Sequence, residues 1–271
     1  MPTWFTHSSS LLSPARLVVL SMPRSGSTFF TSAIDSNPGF RVLVEPLNHY
    51  RHNHHMRPTL TDMVVPTYML YNQLEKVLFD MFCKKPLSSV YNTKYDQDGS
   101  VCAGFKTMAH QIVGLPNESL FWRVLKELNV KVIRYYRHNI LKQIISDLIA
   151  MRTRQPVAYK RALEPVKTTK VQVDVNMIET TMKEIRRYRA HMDAKVQEYQ
   201  LDNRMVVYED IEHDLQKIND YMPWLIGRTI SSYKERTIRQ NPESIRDRVL
   251  NYEELEKACE RLHLTSFLKD T

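Results

Sequence analysis

The sequence predicts an α/β fold with a mainly parallel central sheet flanked by helices, and three observations carry that expectation. Short continuous apolar runs recur along the chain, as expected for strands buried on both faces. They alternate with segments whose apolar residues repeat at helical spacing, the order of strand–helix–strand units. The first run ends in a glycine-containing turn that opens directly into a helix.

Residues 17–21 (LVVLS) read as the first strand. After the turn, 28–36 (TFFTSAIDS) read as a helix stopped by Asn37, Pro38 and Gly39, and 40–44 (FRVLV) as a second strand. A polar, histidine-rich stretch over 49–58 precedes a helix over 68–83. Residues 101–106 (VCAGFK), 130–136 (VKVIRYY) and 204–208 (RMVVY) supply three further strands. A helix over 139–152 places Ile140, Leu141, Ile144, Ile145, Leu148 and Ile149 on one stripe. Residues 177–199 read as a long charged helix, with Asn176 and Glu179 at the spacing of a capping box. The basic tail over 229–248 is left without a place.

With 271 residues, 42% hydrophobic and 25% charged, the chain is expected to form one domain over 1–271 with its core from about residue 16 to 256. A net charge of +8 favours an anionic partner. No run approaches the roughly 18 apolar residues of a transmembrane segment, and residues 1–14 lack the pattern of a secretory leader. Cys83, Cys102 and Cys259 form no CxxC pair, so neither a disulfide framework nor a zinc site is encoded. The expectation is a cytoplasmic protein, with attachment to a membrane surface left open.

The turn reads Met22-Pro23-Arg24-Ser25-Gly26-Ser27-Thr28. A glycine between hydroxyl residues at a helix start offers backbone N–H groups and the helix N-terminus to an anion. Pro23, Arg24, Ser25, Gly26, Ser27 and Thr28 are therefore read as a phosphate-binding loop. It is P-loop-like in position without being a Walker A motif: GxxxxGK[ST] is absent, and Arg24 supplies the positive charge in place of the lysine. An ordinary strand-to-helix turn is the plainer alternative.

PRSGST followed by apolar residues resembles the 5'-phosphosulfate-binding loop of sulfotransferases that use 3'-phosphoadenylyl sulfate (PAPS), particularly the bacterial lipo-oligosaccharide and trehalose sulfotransferase group. A second segment, from Arg137 through Asn139 and Leu141 to Ser146, resembles that group's RxNxLxxxxS signature, and the resemblance implies binding of the 3'-phosphate. Placement agrees, because Arg137 at the carboxyl end of a strand and Ser146 two helical turns onward can meet one phosphate. The competing reading is an arginine in a surface ion pair and a serine on a helix. Tyr208-Glu209-Asp210 resembles a YEDL-like segment, and Arg239-Gln240-Asn241-Pro242 through Asn251-Tyr252-Glu253-Glu254-Leu255 is similar to the group's C-terminal stretch. The resemblance, running from residue 17 to about 255, implies a P-loop-like fold and PAPS as donor, with PAP as product and no metal required. It also implies a carbohydrate or glycolipid-like hydroxyl as acceptor.

By analogy with phosphoryl transfer, such a reaction asks the protein for position and fixed positive charge, here Arg24 and the loop amides, and for a base facing the acceptor hydroxyl. Glu45, directly after the second strand, lies at the edge where α/β sheets bind ligands. The resemblance implies the same residue; a strand-end cap or ion-pair partner is the alternative. Lys106 is expected at that edge too, in place to touch donor or acceptor oxygens, against the reading of a lysine ending an edge strand. His49, His52, His54 and His55 lack framing cysteines or an HExxH helix, so they read as a solvated loop lining the acceptor pocket rather than a metal site. Arg186, Arg187 and Arg189 read as a solvated helix face.

Two rival functions remain. A nucleotide kinase or NTPase of similar architecture would need the missing Walker lysine and a magnesium-binding context. A basic nucleic-acid-binding protein would show a known binding module or a basic patch interleaved with aromatics, and the sequence has neither.

Overall fold

The computed structural model describes residues 15–44, 101–113, 118–155, 169–237 and 244–268. Five strands, β1 (Ala15–Ser21), β2 (Phe40–Val44), β3 (Cys102–Met108), β4 (Lys131–Tyr136) and β5 (Asn203–Val207), form one sheet in the order β2-β3-β1-β4-β5. Every neighbouring pair is parallel, so the α/β class with a parallel sheet is borne out. The described helices are α1 (Ser27–Ile34), α2 (Ala109–Ile112), α3 (Glu118–Glu127), α4 (Ile140–Thr153), α5 (Val175–Glu198), α6 (Tyr208–Ile211), α7 (Met222–Ile226), α8 (Ile245–Arg248) and α9 (Tyr252–Arg261).

Strand β1 lies in the middle, with Val19 in register between Lys106 of β3 and Ile133 of β4. Its side chains alternate between two cores, which is why LVVL is apolar without interruption. Leu17 and Val19 pack with Phe30, Ile34, Ile133 and Tyr135 on one face. Val18 and Leu20 pack with Phe105, Trp122, Leu141 and Ile145 on the other. Burying each such side chain is worth about 1.5–3 kcal/mol. Helix α1 covers the first face and α4 the second, so the chain leaves the carboxyl ends of the adjacent strands β1 and β4 in opposite directions. In parallel sheets that divergence opens the crevice in which ligands bind.

Several sequence expectations change. Strand β3 stands between β2 and β1, so Lys106 belongs to an interior strand, and the alternative reading of a lysine ending an edge strand falls away. Tyr208 does not end a strand but opens α6. The long helix begins at Val175 with Asp174 as its N-cap, Oδ1 accepting the Asn176 N–H at 3.0 Å; Glu179 instead pairs with Lys183 one turn on, so there is no Asn176–Glu179 capping box. Part of the basic tail finds a place: Ile230 N and Tyr233 Oη both donate to Asn219 Oδ1 at 2.8 Å, and Arg236 pairs with Asp35 at 2.9 Å. Glu45, the histidines at 49–55, the helix expected over 68–83 and Arg239 through Pro242 lie outside the described residues.

Candidate active site

Between β1 and α1 the backbone turns through two left-handed residues, Arg24 at φ 57° and Gly26 at φ 88°. At Gly26 only glycine fits, because a Cβ there would stand 2.3 Å from Tyr208 Cδ2; the loop lies against that ring. Arg24 holds a conformation that disfavours a side chain by about 1–2 kcal/mol, and its neighbours fix it. Its Nε and Nη2 donate to Ser146 Oγ at 3.2 and 3.0 Å, and its carbonyl accepts Arg137 Nη1 at 3.5 Å. Gln143 Nε2 donates to the Pro23 carbonyl at 2.6 Å. Ser25 is buried, and its Oγ has no hydrogen-bond partner among the described residues. A buried hydroxyl inside a turn of this kind is chemically suited to donate to an anion.

The second wall starts at the end of β4. Asn139 caps α4 by accepting the Lys142 N–H at 2.9 Å, and Glu209 accepts the His138 and Asn139 N–H groups at 2.8 and 3.0 Å. Arg137 lies over the Tyr208 ring, 4.8 Å from its centroid, with Nε 3.9 Å from Glu209. The Tyr208-Glu209 pair at the start of α6 thus ties β5 to both the loop and α4. Beyond Arg137, a narrow pocket is lined by Lys142, Ser146, Ser244 and Arg248 together with Arg137 itself. Its polar lining of three cations and two hydroxyls, backed by Ile145, Ile149 and Ile245, suits an anion.

Lys106 is 1% exposed and donates to Thr28 Oγ1 at 2.9 Å, so an interior strand sends a buried ammonium into the first turn of α1. A charge this deep needs such partners. On the other side of Arg24, burial raises the Asp147 carboxyl above its usual range while Arg24 and His110 pull it down. Burial depresses the Arg24 guanidinium, with Asp147 opposing that and Arg137 adding to it.

The structure therefore brings Pro23 through Thr28, Lys106, Arg137 and Ser146 to one end of the sheet. It also corrects the reading of Arg189 as solvated. Its Nη2 donates to the Arg137 carbonyl at 2.8 Å and Gln143 Oε1 at 3.0 Å, and its guanidinium lies over Tyr136. The signal was available, because Arg189 continues the buried stripe of Ile185 and Met192 on α5. Among the described residues, no group of three or more His, Cys, Asp or Glu is arranged to hold a metal ion, and no helix is long and apolar enough to cross a membrane.

No protein-family model matches the chain, and no curated protein matches it. Among solved structures, the sulfotransferase domain from the Synechococcus PCC 7002 olefin synthase is similar over 95% of this chain and 96% of that one, at 15% identity and a TM-score of 0.39.

Proposed function

We propose that this chain is a sulfotransferase that moves a sulfuryl group from PAPS to a hydroxyl of a carbohydrate or glycolipid-like acceptor. The observation that carries the reading is the direct bond from Arg24 to Ser146. The two segments that resemble 5'-phosphosulfate and 3'-phosphate sites come from sequence positions far apart, and this bond joins them in one crevice. A donor with phosphates at both ends of a nucleoside needs two such anion sites side by side. The orphan Ser25 hydroxyl, the loop N–H groups and Thr28 would hold the 5' end, and Arg137, Ser146 and their cationic neighbours the 3'-phosphate.

In the transfer, the acceptor oxygen forms a bond to sulfur as the bond from sulfur to the phosphate oxygen of PAPS breaks. The hydroxyl proton passes to a base, and PAP leaves. Arg24 and Lys106 supply fixed positive charge where negative charge gathers on the leaving phosphate and the sulfuryl oxygens, so neither has to be reorganised during reaction. Glu45, the next residue in sequence after β2, is the proposed base.

PAP should stabilise the purified chain without magnesium, because Arg24 and Lys106 provide the charge that a metal provides in nucleotide kinases. At 100 times Kd, linkage gives about 2.7 kcal/mol of added stability. A melting temperature indifferent to PAP but raised by magnesium and ATP would sink the reading in favour of a kinase.

A further inference from the structure

Next to the loop, and sharing Pro23 with it, a groove of about 370 Å³ runs between α4 and α5. That volume falls among those of small-molecule sites, roughly 300–1,000 Å³. The two helices are antiparallel, since Arg189 late in α5 bonds Gln143 in the first turn of α4. The groove consequently has unlike ends. Near the loop, His110, Gln143, Asp147 and Glu184 stand among Met22, Ile144 and Ile185; away from it, Leu148, Met151, Val173, Met177 and Ile178 form a more continuous apolar wall, interrupted by Asp174 at the start of α5. Met151 is about 12 Å along α4 from Gln143 at the rise of an α-helix. Met151 and Met177 are 62% and 61% exposed at the far end, and methionine adapts readily to irregular apolar partners. The charge is as one-sided as the polarity. Asp147, Asp174 and Glu184 line the groove, and among the described residues no lysine or arginine does.

We propose that this groove binds an uncharged amphiphilic alcohol, its hydroxyl head at the Pro23–Asp147 end and its aliphatic part over Leu148, Met151 and Met177. The inference rests on the reading of the adjoining loop as a sulfuryl-donor site, and it narrows the acceptor to a lipid-linked class. An anionic head is disfavoured by Asp147 and Glu184 at that end, and a bare sugar leaves the apolar half uncovered.

The test uses the full chain and three probes: n-octyl β-D-glucoside below its critical micelle concentration, D-glucose and sodium octanoate. Calorimetry should show octyl glucoside binding with 1:1 stoichiometry at least about tenfold tighter than either other probe. Thr181, half-buried on α5, lines the groove without belonging to the core, so Thr181→Trp fills the space from its rim. This variant should lose octyl glucoside by about tenfold or more while keeping wild-type PAP affinity and melting temperature. Met177→Asp, at the exposed far end, should weaken octyl glucoside in the same direction. Equal binding of glucose and octyl glucoside, or octyl glucoside binding untouched by both variants, overturns the groove assignment. A concentration-dependent dimer that Thr181→Trp splits overturns it as well, because a second copy would then be the occupant. In each of these cases wild-type PAP binding is measured separately, so the donor reading stands or falls by itself.

Discussion

Arg137 touches the Arg24 carbonyl, the Tyr208 ring and Glu209, and it also lines the pocket assigned to the 3'-phosphate. Removing it disturbs both packing and recognition, so a fall in stability alone decides nothing. The ratio of two ligands does. A charge-assisted hydrogen bond is worth about 1.5–3 kcal/mol, so Arg137→Ala should weaken PAP by about one to two orders of magnitude. Adenosine 5'-phosphosulfate, which lacks the 3'-phosphate, should bind wild type and variant alike by calorimetry; equal losses for both would return Arg137 to a purely structural role. Asp147 gives a pH signature. Its folded-state pKa is raised above the unfolded value, so the folded state keeps a proton that the unfolded state has released. Stability therefore declines as pH climbs from the ordinary carboxylate value through the raised one. Asp147→Asn should raise the melting temperature at about pH 7 more than at about pH 3, where both states are protonated. The same gain at both values would show that the carboxylate titrates normally. At this scale the sequence disclosed Arg24, Arg137 and Ser146 as functional candidates, because an unusual loop and a signature contain them, and Lys106 through its place near a strand end. Arg189 was passed over because its two arginine neighbours, Arg186 and Arg187, are exposed, and only helical phase separates it from them.

Helix α5 shows where local chemistry is ambiguous. Asp174 and Asn176 are both good N-cap residues, and a glutamate at the right distance makes Asn176 the better candidate on paper. Yet the extended backbone at Asp174, φ −75° and ψ 102°, puts the cap two residues earlier. Asp174→Ala should lower stability by about 1 kcal/mol in urea titrations, and Asn176→Ala should be close to neutral. The reverse order would restore the later start. The five strands and helices α1, α4 and α5 were legible from periodicity, with boundaries off by one or two residues, whereas α3 and α9 were not read. At β5 the error has a different source: Tyr208 continues an apolar run, but its ring is needed against Gly26, and α6 begins there.

The parallel architecture was readable from the alternation of strands and helices, whereas the strand order was not, since no local feature says which strands are neighbours. One close approach now fixes part of it. A Cβ on Gly104 would lie 2.2 Å from the Leu17 carbonyl oxygen, a backbone atom that cannot turn aside. Gly104→Ala should therefore force β3 from β1 in the middle of the molecule and destabilise it by about 3 kcal/mol, seen as a lowered urea midpoint with an unchanged slope. A midpoint within experimental error of wild type would mean the two strands are less tightly apposed than described. The central place of β1 also bears on how the chain acquires its shape during synthesis. The earliest of the described strands is the one that both halves of the sheet are built upon, but its partners begin only at Cys102 and Lys131. Until they emerge, of the described helices only α1 can cover LVVL, on one of its two faces, and each pairing must close a long loop before it is rewarded. The innermost strand therefore has partners on both sides only after more than a hundred further residues have been made, and β5, which begins at Asn203, joins the sheet after it.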